Sequence, residues 1–178
     1  MNNLATIIVS ALLGFSTTVS ADSDTETAGD VLRVILPLTA YGATFYLDDK
    51  KGRTQFYKSF FTNIGVTYGL KAIVEKERPD GTGDDAFPSG HATVAFQSAA
   101  FIQIRYGWKY GLPAYATATF VGWSRLQGDP APHETEDVIA GALIGVLSSY
   151  LYTTPYQNVT VTSLIGNGTY GVNLQMRW

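Results

Sequence analysis

Helix-breaking residues at four places divide the middle of the chain into five stretches of helical length. The breaks are a charged turn that ends in glycine, a long loop between two prolines, a glycine between two aromatic residues, and a loop with two prolines, at residues 48–52, 79–88, 106–108 and 130–132. Proline and glycine interrupt helices, so these breaks predict separate helices at residues 30–47, 54–77, 90–106, 110–126 and 134–153. Helices joined by short turns run antiparallel. We therefore expect an all-α fold, an antiparallel helical bundle of five to six helices.

The C-terminal segment has a different pattern. After Pro155, apolar residues alternate with polar residues on both sides of Gly166-Asn167-Gly168, as in two strands joined by a tight turn. This pattern predicts a short C-terminal β-hairpin over residues 156–178. Two strands alone are only marginally stable, so we expect the hairpin to pack on the bundle.

The composition narrows the possible classes of protein. Charged residues make up 15% of the 178 residues, against about 25% in ordinary soluble domains, so the chain is either associated with a membrane or unusually apolar. A net charge of −3 without a basic stripe argues against nucleic acid as a partner. The chain has no cysteine, which excludes disulfides and thiolate metal sites.

The first residues have features of an export signal. A short apolar run at residues 4–15 precedes Val19-Ser20-Ala21, and small residues of this kind are typical of a signal-peptide cleavage site. No lysine or arginine precedes the run, which is unusual for such a signal. We expect a signal peptide over residues 1–21, cleaved after Ala21, with an uncleaved first membrane helix as the alternative. Whether the bundle spans a membrane stays open, because its uncharged stretches are short for a bilayer.

The chain has only two histidines, and each lies in a run of residues suited to holding a phosphoryl group. His91 follows Pro88-Ser89-Gly90 at the start of a predicted helix. Ser89 is expected to be the N-cap of this helix, and Gly90 allows the backbone to approach a ligand closely. Amide hydrogens at a helix N-terminus bind phosphate. These residues predict an anion site around His91.

Three cations are placed to complete this anion site. Lys71 and Arg78 are seven residues apart, so on one helix that ends at Pro79 they would project toward the same point. Arg125 ends the fourth predicted helix and offers a planar fork for two phosphate oxygens. Cations and amides stabilise a transferring phosphoryl group by position and charge. The predicted chemistry therefore requires no metal or other cofactor.

The second histidine, His133, has a carboxylate four residues further along, at Asp137. This spacing brings the two together across the first turn of a helix that begins near Glu134. A carboxylate on one imidazole nitrogen fixes the tautomer and leaves the other nitrogen free to attack. The residues favour His133 as the nucleophile because His91 has no carboxylate at this spacing, although Asp84 and Asp85 lie near it in sequence. They do not decide which histidine attacks.

The bundle topology gathers these motifs at one end. In an antiparallel bundle the end of the second helix, the start of the third, the end of the fourth and the start of the fifth are neighbours. The opposite end carries the basic residues Lys50, Lys51, Arg53, Arg105 and Lys109. If the bundle spans a membrane, the positive-inside rule places the site away from the cytoplasm.

Residues 71–145 resemble the type-2 phosphatidic acid phosphatase (PAP2) superfamily, which includes bacterial acid phosphatases and vanadium haloperoxidases. The resemblance rests on three motifs in the family's order, Lys71 with Arg78-Pro79, Pro88-Ser89-Gly90-His91, and Arg125 with His133 and Asp137. It implies that a phosphohistidine forms on His133, that Asp137 orients this ring, and that His91 protonates the leaving oxygen. One departure is the spacer between Arg125 and His133, which has seven residues and is longer than the family's.

We therefore expect residues 22–155 to be a PAP2-like phosphatase domain. Its predicted reaction is metal-independent hydrolysis of a phosphate monoester or pyrophosphate, principally of a lipid such as phosphatidate, phosphatidylglycerophosphate or undecaprenyl pyrophosphate. The expected partners are this phosphorylated lipid or a small phosphoester, together with a membrane. The expected location is the cell envelope, periplasmic or membrane-associated, with the site facing away from the cytoplasm.

Three alternatives remain open at the level of sequence. One is a soluble periplasmic acid phosphatase of broad specificity. Another is a vanadium haloperoxidase, which would hold vanadate in the same anion site, although this chain is short for that family's elaborations. The last is a non-catalytic envelope protein, against which the intact set of charged residues argues.

Overall fold

The computed structural model of the chain describes residues 23–128, 130–156, 158–166 and 169–177, and the side chains of residues 24–128 and 130–156. The predicted signal peptide and its cleavage site lie outside the described residues. The described part of the chain forms five helices, α1 Ser23–Tyr46, α2 Lys50–Val74, α3 Gly90–Tyr106, α4 Trp108–Ser124 and α5 Thr135–Tyr152. The predicted all-α class is thereby confirmed for the body of the protein.

The helix boundaries follow local chemistry. Helix α1 begins at Ser23 instead of residue 30, and its first turn carries Asp24 and Glu26, whose charges favour the positive end of a helix dipole. Helix α2 begins after Asp49, whose Oδ1 accepts a hydrogen bond of 2.8 Å from the backbone amide of Gly52. A carboxylate in this N-cap position satisfies an amide that has no partner within the helix.

Beyond the bundle, Asn158–Gly166 and Thr169–Arg177 form two antiparallel strands, β1 and β2. Asn158 lies opposite Arg177, and Gly166 lies opposite Thr169. The turn residues 167–168 and the side chains of this segment lie outside the described residues. The β-hairpin extension and its packing on the bundle stay a prediction.

Helix α3 lies at the centre and packs against each of the other four helices. Helix α5 approaches α3 most closely where two glycines of α5 face the backbone at the start of α3. A Cβ atom at Gly141 would lie 2.6 Å from the backbone oxygen of Ser89, and a Cβ atom at Gly145 would overlap the backbone oxygen of Thr93. Only glycine permits this contact, which fixes the start of α5 beside the start of α3.

The end of the bundle opposite the motifs contains a buried ion pair. Arg105 donates from Nε and Nη2 to the two carboxylate oxygens of Asp49, at 2.6 and 2.5 Å, and Nη1 donates to the backbone oxygens of Thr154 and Pro155. The side chains of Arg105 and Asp49 are 4% and 2% exposed. Arg105 thus lies at this end as predicted, but Asp49 neutralises its charge inside the protein.

Many large apolar side chains remain on the outside of the bundle. They include Leu38, Phe61, Tyr68, Ile73, Leu147 and Leu151, each more than 60% exposed. Nevertheless, within the part of the chain that the structure describes, no helix has the length and apolar character needed to cross a membrane.

Candidate active site

His133 and Asp137 come together at the start of α5. Glu134 is the N-cap, and its backbone amide donates to Asp137 Oδ2 at 2.9 Å. His133 precedes this cap, with Nδ1 3.7 Å from Asp137 Oδ2, and the two side chains are 2% and 0% exposed. Among the described residues Nδ1 has no hydrogen-bond partner. A buried ring nitrogen without a partner is costly for folding, and such costs are characteristic of functional sites.

Lys76 holds the other oxygen of Asp137 and was not predicted from the sequence. Its Nζ donates to Asp137 Oδ1 at 2.8 Å, and also to Glu134 at 2.7 Å and Glu136 at 3.0 Å. Burial opposes the charge of Lys76, but these three bonds outweigh it and raise the pKa of Lys76. The sequence signal was the acidic cluster at the start of α5, which requires a cation that the motifs leave unassigned.

Lys71 and Arg78 both contact Asp85, but they do not share one helical face as predicted. The prediction that α2 continues through residue 77 is wrong, because the helix ends at Val74 and Glu75 adopts a left-handed conformation with φ 44°. Arg78 precedes Pro79, and proline disfavours helical geometry in the residue before it. Arg78 therefore lies in the loop, outside any shared helical face.

Asp85 is the residue on which these two cations converge. Arg78 Nε donates to Asp85 Oδ1 at 2.7 Å, and Lys71 Nζ bonds to the backbone oxygen of Asp85. The hydrogen bond from Arg78 is the largest cause of the lowered pKa of Asp85. Burial lowers the pKa of Lys71. The loop thus gathers two cations around one carboxylate.

Ser89, Gly90 and His91 begin α3 as predicted, but their polar groups differ from the expectation. The Ser89 hydroxyl makes no capping bond, is fully buried and has no partner among the described residues. The backbone amide of Ser89 donates to the backbone oxygen of Asp137 at 2.9 Å, so it is not available to an anion. The amides of Gly90 and His91 remain without an acceptor inside the helix. Lys71 stands over Gly90, with its Cε 3.9 Å from where a Cβ would lie.

Arg125 and His91 share partners on α1. Arg125, 2% exposed, donates from Nη1 to Asp30 Oδ1 at 3.2 Å and to Glu26 Oε1 at 3.3 Å. His91 Nε2 lies 2.6 Å from Asp30 Oδ1, and its Nδ1 lies 3.4 Å from Arg33 Nη1. His91 has no carboxylate at the four-residue spacing of His133 and Asp137, but Asp30 on α1 provides one. Asp30 is 61 residues away in sequence, so no local spacing could indicate it.

The eight predicted site residues thus lie at one end of the bundle. Six of them form two neighbouring groups, and Ser89 and Gly90 lie between these groups. One group contains His133, Asp137, Lys71 and Arg78, and the other contains His91 and Arg125. The hydrogen bond from the Ser89 amide to the backbone oxygen of Asp137 and the position of Lys71 beside Gly90 join the groups. Within residues 23–128 and 130–156, no cluster of histidine and carboxylate side chains is arranged to hold a metal ion.

Known proteins share this sequence pattern. Residues 50–160 match the PAP2 superfamily. The chain is 30% identical over 171 residues to a protein named lipid A 4'-phosphatase from Helicobacter pylori, and the match covers 86% of this chain and 85% of that protein. The chain belongs to the PAP2 superfamily. It is accordingly a PAP2-type phosphatase, a phosphoric ester hydrolase.

Two further proteins are similar to this chain in sequence or in fold. A lipid A 1-phosphatase from Porphyromonas gingivalis is 38% identical over 86 residues, which cover 47% of this chain and 19% of that protein. The crystal structure of LpxE from Aquifex aeolicus superimposes with a TM-score of 0.62 at 19% identity, covering 85% of this chain and 93% of that chain. The structural match shows a common fold.

Both histidines of this PAP2 site are held in the neutral form. Burial, followed by the charge of Arg78, lowers the pKa of His133 from 6.5 to about 4. Burial, followed by the charges of Arg125 and Arg33, lowers the pKa of His91 to about 4. At neutral pH each ring therefore has one nitrogen with a free lone pair. This is the form that a nucleophile requires, whereas a histidine that donates a proton must first take one up.

Proposed function

We propose that this protein removes phosphate from a lipid phosphomonoester or pyrophosphate through a phosphohistidine on His133, without a metal. The observation that carries the proposal is the buried, neutral ring of His133, whose Nδ1 has no partner among the described residues and faces Asp137. The positive charges of Arg78 and Lys71 help to lower the pKa of this ring. A buried nucleophile beside a carboxylate and two cations is suited to attack on a phosphate.

The proposed first step is attack by the ring nitrogen of His133 that faces away from Asp137. After the substrate binds, His91 takes up a proton from solvent. A bond forms from the His133 nitrogen to phosphorus, the bond from phosphorus to the leaving oxygen breaks, and His91 gives that oxygen the proton. The His133 ring gains positive charge, and Asp137 stabilises it. Water then attacks the phosphohistidine, gives its proton to His91, and releases inorganic phosphate.

The phosphate would replace carboxylates that occupy the cations in the ligand-free protein. The Asp85 carboxylate accepts a hydrogen bond from Arg78 and lies 3.6 Å from Lys71 Nζ, and Asp30 accepts a hydrogen bond from Arg125. A phosphate dianion offers more acceptor oxygens and more charge than a carboxylate, so the cations exchange partners when it binds. The buried hydroxyl of Ser89 and the amides of Gly90 and His91 offer further donors.

An apolar groove supports a lipid as the substrate. The groove has a volume of about 490 Å³, begins at Lys71, Gly90 and Arg33, and continues between α1 and α2 along aliphatic and aromatic side chains that include Leu38, Tyr41, Phe60, Phe61 and Ile64. Its position joins the anion site directly to an apolar surface. The names of the Helicobacter and Porphyromonas relatives both specify a phosphorylated lipid, lipid A, which adds lipid A to the candidate substrates.

We further propose that residues 22–155 act at the cell envelope, with the site facing away from the cytoplasm. The exposed apolar side chains of α1, α2 and α5 give the bundle a surface suited to lipid contact. The acidic residues around the site, including Glu134 and Glu136, contrast with the exposed Lys50 and Lys51 at the other end. This contrast in charge distinguishes the two ends of the bundle.

Phosphate release from a panel of substrates tests the proposed function. The panel contains lipid A, phosphatidate, phosphatidylglycerophosphate, undecaprenyl pyrophosphate and a soluble aryl phosphate, each with and without EDTA. We expect release from at least one lipid with a kcat/KM above that of the soluble ester, unaffected by EDTA and inhibited by vanadate. His133→Ala should be inactive, and Lys109→Ala, exposed at the opposite end, should behave as wild type.

Three results would contradict this proposal. A preference for the soluble ester over every lipid would support a broad acid phosphatase instead. Loss of activity in EDTA with recovery in magnesium would refute the metal-independent mechanism. Activation of halide oxidation by vanadate would identify a haloperoxidase.

A further inference from the structure

Helix α1 contributes one wall of the site, although it lies outside the region that matches the PAP2 family, residues 50–160. Glu26, Asp30 and Arg33 are four and three residues apart, so they share one face of the helix. All three contact the second group of site residues, Arg125 or His91. The family motifs therefore do not account for the complete site.

The close approach of α1 is fixed by packing against the end of α4. A Cβ atom at Gly29 would overlap the hydroxyl of Ser124 and would lie 3.1 Å from Arg125 Nη2. The backbone oxygen of Glu26 also accepts a hydrogen bond of 2.7 Å from Arg125 Nη2. Because Gly29 precedes Asp30, the same helical turn places the Asp30 carboxylate beside His91.

The partners of His91 decide its tautomer. A carboxylate can only accept a hydrogen bond, so Nε2, 2.6 Å from Asp30 Oδ1, carries the hydrogen. A guanidinium can only donate, so Nδ1, 3.4 Å from Arg33 Nη1, presents its lone pair. The ring is therefore held in one orientation with Nδ1 as the nitrogen that exchanges a proton.

We propose that Asp30 is the positioning residue of His91, which holds Nε2–H and thereby directs Nδ1 to deliver the proton to the leaving oxygen. The inference rests on the proposed function. When the substrate phosphate draws Arg125 and Arg33 to its own oxygens, Nδ1 takes up a proton from solvent, and the protonated ring keeps its Nε2–H bond to Asp30. The proton then passes from Nδ1 to the leaving oxygen, which takes the electron pair of its bond to phosphorus, and His91 returns to the neutral Nε2–H tautomer.

The charged groups that face His91 come from two helices. Asp30 and Arg33 belong to α1, and Arg125 follows α4. The two arginines oppose protonation of the ring, whereas Asp30 favours it. Removing the Asp30 carboxylate therefore shifts the balance against the protonated form, and the alkaline limb of the pH profile of kcat moves to lower pH.

The test compares Asp30→Asn with Glu26→Gln on an alkyl and an aryl phosphate. Each variant replaces one of the two carboxylates that accept a hydrogen bond from Arg125, but only Asp30 also contacts His91. We expect Asp30→Asn to lower kcat on the alkyl ester by about 10- to 100-fold, a part of the roughly 10²–10⁴-fold effect of a general acid. The aryl ester, whose leaving group needs less protonation, should lose less. The KM of Asp30→Asn should not rise. The alkaline limb of the pH profile of kcat should move in Asp30→Asn and stay in place in Glu26→Gln.

A double variant and a spectroscopic measurement complete the test. In a His91→Ala background Asp30→Asn should cause no further loss, and Asp30→Glu should restore part of the wild-type kcat. Two results would overturn the proposal. One is an Asp30→Asn variant with the kcat of wild type and an unshifted alkaline limb of the pH profile. The other is a double variant whose kcat falls by the product of the two single losses.

The ¹⁵N shifts of the His91 ring decide the tautomer without any change at Asp30. His133→Gln leaves His91 as the single histidine, which assigns its signals. The Nε2–H tautomer in the ligand-free protein is expected, and the Nδ1–H tautomer would overturn the proposal even if Asp30→Asn does not fold. Absence of phosphate release from the wild-type protein would instead refute the proposed function.

Discussion

The Nδ1 atom of His133 lies 3.7 Å from Oδ2 of Asp137, and neither side chain is more than 2% exposed. This separation exceeds an ordinary hydrogen bond. Asp137 instead accepts bonds from the amide of Glu134 and from Lys76. The carboxylate is thus fixed in place by other groups before the ring becomes charged, and contacts of this kind often shorten when a substrate binds.

We expect Asp137→Asn to fold and to lose about 10²- to 10⁴-fold in kcat, by comparison with removal of the orienting acid of a hydrolase triad. An amide cannot stabilise the positive ring that forms during attack. Rapid-quench measurement of phosphoenzyme formation checks this prediction. Asp48→Asn is the matched control, because Asp48 is exposed at the far end of the bundle and its left-handed backbone suits asparagine. Equal rates in the two variants would contradict the role of Asp137.

Replacing Lys76 should affect both stability and activity. Lys76→Gln leaves one oxygen of the fully buried Asp137 without its cation, and such a change costs about 1–3 kcal/mol. Chemical denaturation should show this decrease in the free energy of unfolding, together with a lower kcat. Lys58→Gln, at an exposed position within helix α2, should change neither quantity. Equal unfolding free energies for Lys76→Gln and wild type would show that Asp137 does not need the cation.

The two histidines make the stability depend on pH. Burial is the largest cause that lowers the pKa of His91 and His133 from 6.5 to about 4. Between these values the unfolded chain binds more protons than the folded protein, so the stability is fully present above pH 6.5 and falls as the pH drops toward 4. Since one pKa unit corresponds to about 1.4 kcal/mol, each histidine accounts for a loss on the order of 3 kcal/mol.

Urea unfolding across this pH range measures the effect. His91→Asn and His133→Asn should each give a shallower pH dependence than wild type, because asparagine does not titrate. Above the ordinary histidine pKa the curves should run parallel. A variant with the wild-type slope would show that the replaced histidine titrates normally in the folded protein.

Arg125→Lys should lose most of the activity although the charge is kept. Arg125 uses both terminal nitrogens, bonding to Asp30, to Glu26 and to the backbone of Glu26, and the point charge of lysine cannot reproduce this fork. We expect kcat/KM to fall by about 10²-fold, a loss near 2.7 kcal/mol in transition-state binding. Steady-state kinetics with an aryl ester checks the prediction. Retention of wild-type kcat/KM would show that the phosphate needs only a charge at this position.

The sequence predicts those features of the fold and of the site that depend on residues close together in the chain. Breaks such as Gly107, with φ 89°, separate α3 from α4 in the sequence as they do in the structure. The motif residues are recognisable because phosphoryl transfer needs cations, histidines and glycine in fixed types and order. Their placement at one end of the bundle follows from antiparallel helices with short connections.

What the sequence did not predict depends on contacts between distant residues. Asp30 reaches His91, and Arg105 reaches Asp49, across more than fifty positions. The early end of α2 depends on the left-handed conformation of Glu75, a residue whose type does not favour that conformation. The partner of Asp137, Lys76, follows from this early end, because the turn at Glu75 directs the chain toward the start of α5.

The most direct measurement is the chemical identity of the phosphoenzyme. The protein is quenched during turnover of a phosphorus-labelled aryl ester, and the labelled residue is mapped by digestion and mass spectrometry. The account predicts an acid-labile, base-stable label on His133, absent in His133→Ala and still formed in His91→Ala. A label on any other residue, or full turnover by His133→Ala, would contradict it.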